Sequence, residues 1–460
     1  MTSPPWRRPW PRPCLVAGIA LAGWLSGCAQ LDSDRTLFDP VAQATGPQLK
    51  SPPRWIRSEA DRQAAAERTR ELLAHPLDAD GAVEVALLNH RGLQAALAEL
   101  GIAQADVLQA GRLPNPGISL GRSRRGSELE TRVGLELPLA RLITLPLAVT
   151  VERRRLARVQ RDAARQVLGL AHATRRAQVQ AVAASEGVRY LRQVQEVARA
   201  GADLGRRLRE AGNWNRLTEA REQAFAAQAD IDLAMAVEAQ QAALERLARL
   251  LGLEDGPAAF TLPERLPDLP TTLPDPADVE AQALARRLDL QAARLDAEAL
   301  ASQLGLTRRT RFINVVDLGA TRTRSNEQAT ERGYELVFEL PLFDWGESRV
   351  ARAEALYLQA VDRAAQAVVD ARSEVRGAEA ARRARFEVAR RHLDEIVPLR
   401  RRIAGEQLLR HNGMLASVFE LLADARAQIT AVRDAIDASR DFWLAQADLD
   451  MALNGKAQTP

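Results

Sequence analysis

Two short stretches of the chain alternate between apolar and polar residues. Leu129, Thr131, Val133, Leu135 and Leu137 are interleaved with Glu130, Arg132, Gly134 and Glu136, and Tyr334, Leu336, Phe338 and Leu340 with Glu335, Val337 and Glu339. A period of two sends successive side chains to opposite faces, so each stretch predicts a strand with one apolar and one largely charged face. Partner strands are expected at about 117–123 and 314–324. Elsewhere the period is three to four. Ala163, Val167, Leu170, Thr174, Ala177, Ala181, Ala184, Val188, Leu191, Gln195 and Ala198 form a seam of mostly small residues on a helix expected from about 150 to 211. A second long helix is expected over 347–411, broken only by Pro398, with a seam through Val361, Ala365, Val368, Arg372, Val375, Phe386, Ala389, Leu393 and Ile396. At 1.5 Å per residue, each such rod spans roughly 90–100 Å. Shorter return helices are expected over 217–251 and 418–453.

These patterns occur twice. Ala86-Leu87-Leu88-Asn89-His90-Arg91-Gly92-Leu93-Gln94-Ala95-Ala96 matches Ala283-Leu284-Ala285-Arg286-Arg287-Leu288-Asp289-Leu290-Gln291-Ala292-Ala293, and Leu135-Glu136-Leu137-Pro138-Leu139 matches Phe338-Glu339-Leu340-Pro341-Leu342. Each half reads helix, strand, strand, long helix, tight turn, return helix. The expected organisation is a first repeat over 79–252, a Pro-rich connector over 253–277, a second repeat over 278–455 and a tail over 456–460. The connector holds Pro257, Pro263, Pro267, Pro270, Pro274 and Pro276, too many for a helix to continue through it.

The first residues read differently. Arg7, Arg8 and Arg12 precede an apolar run over 14–24, and Leu25-Ser26-Gly27-Cys28 follows, the order of a secretory signal over 1–27. The ending resembles a bacterial lipobox, which makes Cys28 a lipidation site and 28–78 an N-terminal periplasmic segment. With Ala29 rather than Asp after that cysteine, the resemblance points to the outer membrane. Composition agrees with a folded, helix-rich protein: 46% of residues are hydrophobic, 27% charged and only 4% aromatic. The formal net charge of +3 disappears once the three signal arginines are set aside, so no nucleic-acid partner is expected.

The alternating strands suit a β-barrel with a lipid-facing outside and a wet lumen, and equally any half-buried sheet. Charges gathered on one face and polar loops between strands favour the barrel. Four strands cannot close a barrel in lipid, where open edges are not tolerated, so several chains are expected to contribute.

Together, the signal with its lipobox, the duplication, Arg112-Leu113-Pro114-Asn115-Pro116 and Pro341-Leu342-Phe343-Asp344-Trp345-Gly346 resemble the TolC family of outer-membrane efflux proteins. The resemblance runs from about Asp80 to Gly455. It implies a mainly α fold with a β-barrel part, internally duplicated. A long antiparallel coiled-coil tunnel would join four β-strands per protomer, three protomers sharing a twelve-stranded transmembrane barrel. It implies a homotrimer in the outer membrane, a periplasmic adaptor and an inner-membrane pump of the resistance-nodulation-division type, or else the duct of type I secretion. The first half has Pro138-Leu139-Ala140-Arg141-Leu142 where the fuller signature has Phe-Asp and Gly, and Phe312-Ile313-Asn314 replaces Pro-Asn-Pro in the second. The competing reading is a lipid-anchored coiled-coil structural protein of the envelope.

A passive duct needs no catalytic group or cofactor, and none is expected. His75, His90, His172, His392 and His411 are scattered without ligand spacing, so no metal site is read. The candidate sites are the turns and the barrel. Gly212, Asn213 and Trp214, and Gly413, Met414 and Leu415, each follow a long helix, with the glycine expected to supply a left-handed end. By the resemblance, adaptor hairpins dock on these turns, with Trp214, Met414 and Leu415 as exposed contacts. Glu420 and Asp424, four apart on one helix face, form a candidate tunnel constriction; a solvated face is the alternative. Glu130, Arg132, Glu136, Glu335 and Glu339 are expected to line the barrel lumen.

Overall fold

A computed structural model describes residues 34–273, 278–312, 315–340 and 342–456. The expected signal and its Cys28 lie outside the described residues, as do Ile313, Asn314, Pro341, Pro274 and Pro276. The elements are α1 (Asp34–Thr45), α2 (Glu59–Leu73), α3 (Ala79–Asn89), α4 (Arg91–Gly111), β1 (Gly117–Arg125), β2 (Glu128–Pro138), α5 (Leu139–Glu210), α6 (Arg216–Leu251), α7 (Val279–Arg286), α8 (Leu288–Thr310), β3 (Val316–Ser325), β4 (Glu331–Phe338), α9 (Glu347–Arg391), α10 (Val397–Asn412) and α11 (Val418–Asn454). The class is mainly α with a β part, as the two periodicities imply. The chain divides into two compact units.

The first unit holds Ile102–Arg153 and Ser302–Ala351. Its sheet is fully antiparallel in the order β1-β2-β3-β4. The β1–β2 loop is the pair Gly126-Ser127, and Asn326 of the β3–β4 loop reaches across to it, accepting from the Leu129 amide at 2.6 Å and donating to the Ser127 carbonyl at 2.9 Å. The two hairpins are thus tied at their tips.

The second unit holds Phe38–Gly101, Arg154–Ala301 and the chain from Arg352 onward. One helix was expected ahead of each strand pair, but each half has two. The break falls at matched positions, His90 and Arg287, whose ψ angles of 107° and 119° leave the helical region. The matched Gln94 and Gln291 turn their amides back to carbonyls of the helix just ended. Arg287 is fully buried and salt-bridged to Asp289 at 2.8 Å and Glu374 at 2.7 Å, with a further donation to the Ala452 carbonyl. Burial works against its charge, but these partners outweigh it and hold the guanidinium above its ordinary pKa.

The long helices differ from expectation at three places. Helix α5 starts at Leu139, not near 150, and carries Pro146 inside it. The sequence reading stopped at this proline because it removes a helix amide and crowds the preceding turn. In the second half, Pro398 has a visible effect: residues His392–Ile396 form one π turn between α9 and α10, and the Val397 amide donates to the His392 carbonyl five residues back. The α9 seam differs in part: Val375, Phe386 and Ala389 are buried as expected, but the rest of the buried face is Ala360, Ala371, Glu379 and Arg382. Glu379 and Arg382 are both buried and salt-bridged at 3.0 Å, so a paired charge sits where an apolar search finds none.

The α5 seam is found largely where expected, with Ala163, Val167, Thr174, Ala177, Ala181, Val188, Leu191 and Ala198 buried. A second face of the same helix is buried too, because the connector lies on it: Leu266 packs with Val179, Val182 and Ala183, and Phe260 joins the cluster of Leu77, Val85, Leu247 and Leu251. On α5 and α11, His172 and Arg176 both reach Asp448, the first at 2.8 Å. Burial pushes the Asp448 carboxyl up, but its hydrogen bonds and charge pairing with His172 and Arg176 prevail and hold it below its ordinary value of 3.8. A depressed carboxylate stabilises fully above its unfolded pKa, and that stability is lost as pH falls through the lower folded value. Asp448→Asn is therefore expected to flatten the acid limb of the stability profile, read as unfolding midpoints over a descending pH series; an unchanged limb would sink the assignment.

Candidate functional site

The register sorts the sheet into two chemically opposite faces. Cross-strand partners Gly117↔Glu136, Gly121↔Arg132 and Ser123↔Glu130 continue into Glu136↔Gly319 and Gly319↔Glu335, so Glu130, Arg132, Glu136 and Glu335 share one face. That face is otherwise built from small residues. Gly134 and Gly319 are buried, and a Cβ on Gly134 would run into the Ser119 hydroxyl. A hollow of about 90 Å³ lined by Ser119, Gly134, Glu136, Asp317, Gly319 and Glu335 lies on it. The sheet therefore curls with the polar face inward. Glu339 lies just past β4, its amide donating to the Val315 carbonyl.

The opposite face is apolar and bare. Tyr334 is 93% exposed, Leu120 78% and Ile118 71%, and Val133, Leu135, Leu318, Leu336 and Phe338 are exposed beside them. Among the described residues, strands β1 and β4 each have one paired side only, leaving two open edges.

The two strand-to-helix corners are built differently. After β4, the Asp344 carboxylate accepts from the Gly346 amide at 2.8 Å, and Gly346 has φ +76°. A Cβ there would lie 2.9 Å from the Arg311 carbonyl, so the Asp-x-Gly element is a turn that only glycine completes. The first half lacks both residues, and α5 follows β2 with no intervening loop.

The turns after the long helices correct the sequence reading twice. Gly212 has the expected left-handed φ of +81°, and the Asn213 amide closes back on the Leu208 carbonyl at 2.8 Å. Gly413 does not: its φ is −81°, and the left-handed residue is Met414 at +57°. The Leu415 amide donates to the Arg410 carbonyl at 2.8 Å and the His411 ring meets the Ala416 carbonyl at 3.1 Å, which shifts the reversal one residue along. Nor is Trp214 an exposed contact. Its ring stacks on Phe419 with centroids 5.5 Å apart and covers Gly205. The indole fastens the first turn to the start of α11. Met414 and Leu415 are left outside, 95% and 74% exposed.

Glu420 and Asp424 have different surroundings. Glu420 closes a capping box: its carboxylate accepts from the Ser417 amide at 2.9 Å, and its own amide donates to the Ser417 hydroxyl at 3.3 Å. Those hydrogen bonds hold its carboxyl below the ordinary value. Asp424 is half-buried one turn on. Beside it, Arg426 salt-bridges the buried Glu222 at 2.7 Å and lies over the Phe225 ring, joining α6 to α11. A groove of about 810 Å³, lined by Ala183, Ala184, Ala236, Ala239, Asp232 and Arg433, runs between α5, α6 and α11.

No protein-family model matches the chain, and no curated protein sequence does. Solved structures match it over most of its length. A membrane protein from Pseudomonas aeruginosa superposes with a TM-score of 0.70 at 20% identity, covering 84% of this chain and 92% of that one. The open-state outer-membrane channel MtrE of Neisseria gonorrhoeae gives 0.68 at 19% identity, with 85% and 91% covered. The Campylobacter jejuni outer-membrane channel CmeC gives 0.66 at 14% identity, with 90% and 91% covered. The chain has the outer-membrane channel fold.

Within this channel fold, the sequence-derived site residues fall into three groups. Glu130, Arg132, Glu136 and Glu335 lie together on the polar face of the sheet. Gly212, Asn213, Gly413, Met414 and Leu415 sit in turns, with Trp214 turned to packing. Glu420 is engaged in a cap. The Ser417-x-x-Glu420 spacing is itself a sequence signal for this cap. Among the described residues, no group of three or more His, Cys, Asp or Glu could hold a metal ion, and no helix is long and apolar enough to cross a membrane.

Proposed function

We propose that three copies of this chain share one twelve-stranded barrel in the outer membrane and form the passive exit duct of a tripartite efflux system. In this reading the protein carries out no catalysis. It receives its cargo from an inner-membrane pump of the resistance-nodulation-division type through a periplasmic adaptor, and is anchored by lipid at Cys28. The observation that carries the reading is the sheet: a bare apolar face, a charged curled face and two open edges make no stable soluble surface but are the pieces of a lipid-facing wall. The channel fold and the TolC-like motifs support it, and Glu130, Arg132, Glu136, Glu335 and Glu339 become its wet lining. Purification of the Cys28→Ala protein tests the barrel directly. It is expected to stay with membranes, to require detergent and to run as a trimer; a water-soluble monomer would return the chain to the envelope coiled-coil reading.

We place adaptor docking at the two turns. Supporting this is the backbone of Met414: a left-handed conformation on a fully exposed, non-glycine residue costs about 1 kcal/mol or more and is kept where it serves function. Met414→Gly relieves that strain and removes the apolar tip. It is expected to keep or raise the unfolding midpoint while cutting efflux in a deletion strain to near the empty-vector level. Undiminished efflux would remove Met414 from the docking surface. For Glu420 and Asp424, the constriction reading rests on Asp424, since Glu420 is held by its cap; Asp424→Ala is expected to reduce cation selectivity in planar-bilayer conductance, and Glu420→Ala to leave it near wild type while lowering the unfolding midpoint.

A further inference from the structure

The apolar face of the sheet is not apolar throughout. Followed from the strand-to-helix corners toward the hairpin loops, its cross-strand rows read Val316–Phe338, then Leu137–Leu318–Leu336, then Ile118–Leu135–Ala320–Tyr334. The next row is Leu120–Val133–Arg322–Arg332, and the one after it Arg122–Thr131–Arg324, with Arg124 one step further out opposite Leu129. Within the four strands this face carries five arginines and no acid, whereas Glu128, Glu130, Glu136, Asp317, Glu331 and Glu335 all lie on the other. Arg322 and Arg332 stand directly opposite each other, an arrangement that is unfavourable unless an anion lies between them. All five are exposed, and no carboxylate beside them on that face can serve as that anion.

An anion-seeking belt at the rim of a greasy band fits one kind of occupant, a lipid whose acyl chains lie along the band and whose headgroup bears phosphate. Guanidinium pairs phosphate bidentately, and neighbouring strands stand about 4.8 Å apart, so arginines on successive strands can grip more than one phosphate of a single headgroup. The belt lies at the hairpin end, opposite the end where each strand pair runs on into a long helix. Resting on the barrel reading above, we propose that Arg122, Arg322, Arg324 and Arg332 form a docking belt for the phosphates of the bis-phosphorylated glycolipid of the outer leaflet.

The test uses the full-length trimer in neutral detergent, incubated separately with bis-phosphorylated lipid A, the same glycolipid stripped of phosphate, and phosphatidylglycerol. Lipid retained per trimer is counted by native mass spectrometry. Lipid A is expected to be retained roughly tenfold better than its dephosphorylated form, the scale set by a few surface arginines, and better than phosphatidylglycerol. The combined variant R122Q, R322Q, R324Q, R332Q is expected to lose that preference while remaining a trimer. Equal retention with and without phosphate overturns the belt, as does a variant that keeps the preference; parity between phosphatidylglycerol and lipid A overturns the choice of glycolipid. If the variant does not assemble, the wild-type comparison of the two glycolipids decides alone. A failure of the barrel reading looks different: wild-type protein that is monomeric and retains none of the three lipids.

Discussion

Leu318→Arg is expected to abolish the membrane-embedded trimer. Leu318 sits in the row Leu137–Leu318–Leu336, near the middle of the exposed apolar band, flanked on both sides by leucine. An arginine on the lipid face of a barrel near the bilayer midplane costs about 2–4 kcal/mol. In a barrel shared by three chains, the cost recurs three times, roughly 6–12 kcal/mol, comparable with the whole stability of a typical domain. The matched control is Glu335→Arg, one strand over on the charged face, which is expected to leave assembly intact. Heat-sensitive trimer bands from isolated membranes would report both; a normal trimer from Leu318→Arg would mean that this face does not meet lipid.

Arg287→Leu is expected to be the most destabilising single change in the helical unit. Among the described residues, the fully buried guanidinium is the ion-pair partner of Asp289, itself 13% exposed, and the closer of two for Glu374, with Lys456 next at 4.0 Å. Removing it strands a carboxylate among packed helices, a loss of about 3–5 kcal/mol when one member of a buried pair is deleted. The double variant Arg287→Leu, Asp289→Leu is expected to regain part of that loss, since it is the unpaired charge rather than the missing bond that costs most. A denaturant midpoint for Arg287→Leu within error of the wild type would contradict the network.

The elements that could be read in advance were those with one clean period. The alternation over 129–137 and 334–338 placed β2 and β4, and the alanine seam placed the buried face of α5. What escaped had an identifiable cause. The α9 seam passes through Glu379 and Arg382, which bury as a pair, so counting apolar residues leaves a gap between Val375 and Phe386; near the start of the helix it is Ala360, and not Val361, that is buried. Beyond it, the π turn over His392–Ile396 inserts a residue, which is why Val397, and not Ile396, packs against Ala431 and Ala435. The start of α5 was hidden by Pro146, and the left-handed residue of the second turn by a glycine one place too early. At the site, residue identity was legible and orientation was not. Trp214 could be named as the aromatic of the turn, but that Phe419 takes its ring follows only from two distant segments meeting. The outward arginines are written in the sequence as Ile118-x-Leu120-x-Arg122-x-Arg124, yet their meaning depends on the register that brings Arg322 and Arg332 alongside.

The bare margins of β1 and β4 also bear on the life of a newly made copy. A solitary molecule displays two rows of amide and carbonyl groups with nothing to bind, next to a greasy surface, which is the recipe for indiscriminate sticking. If three copies share one barrel, such a copy is safest when escorted or left unfolded until the other two arrive. Overproduction without matching delivery should yield insoluble clumps nucleated by the sheet rather than by the helices.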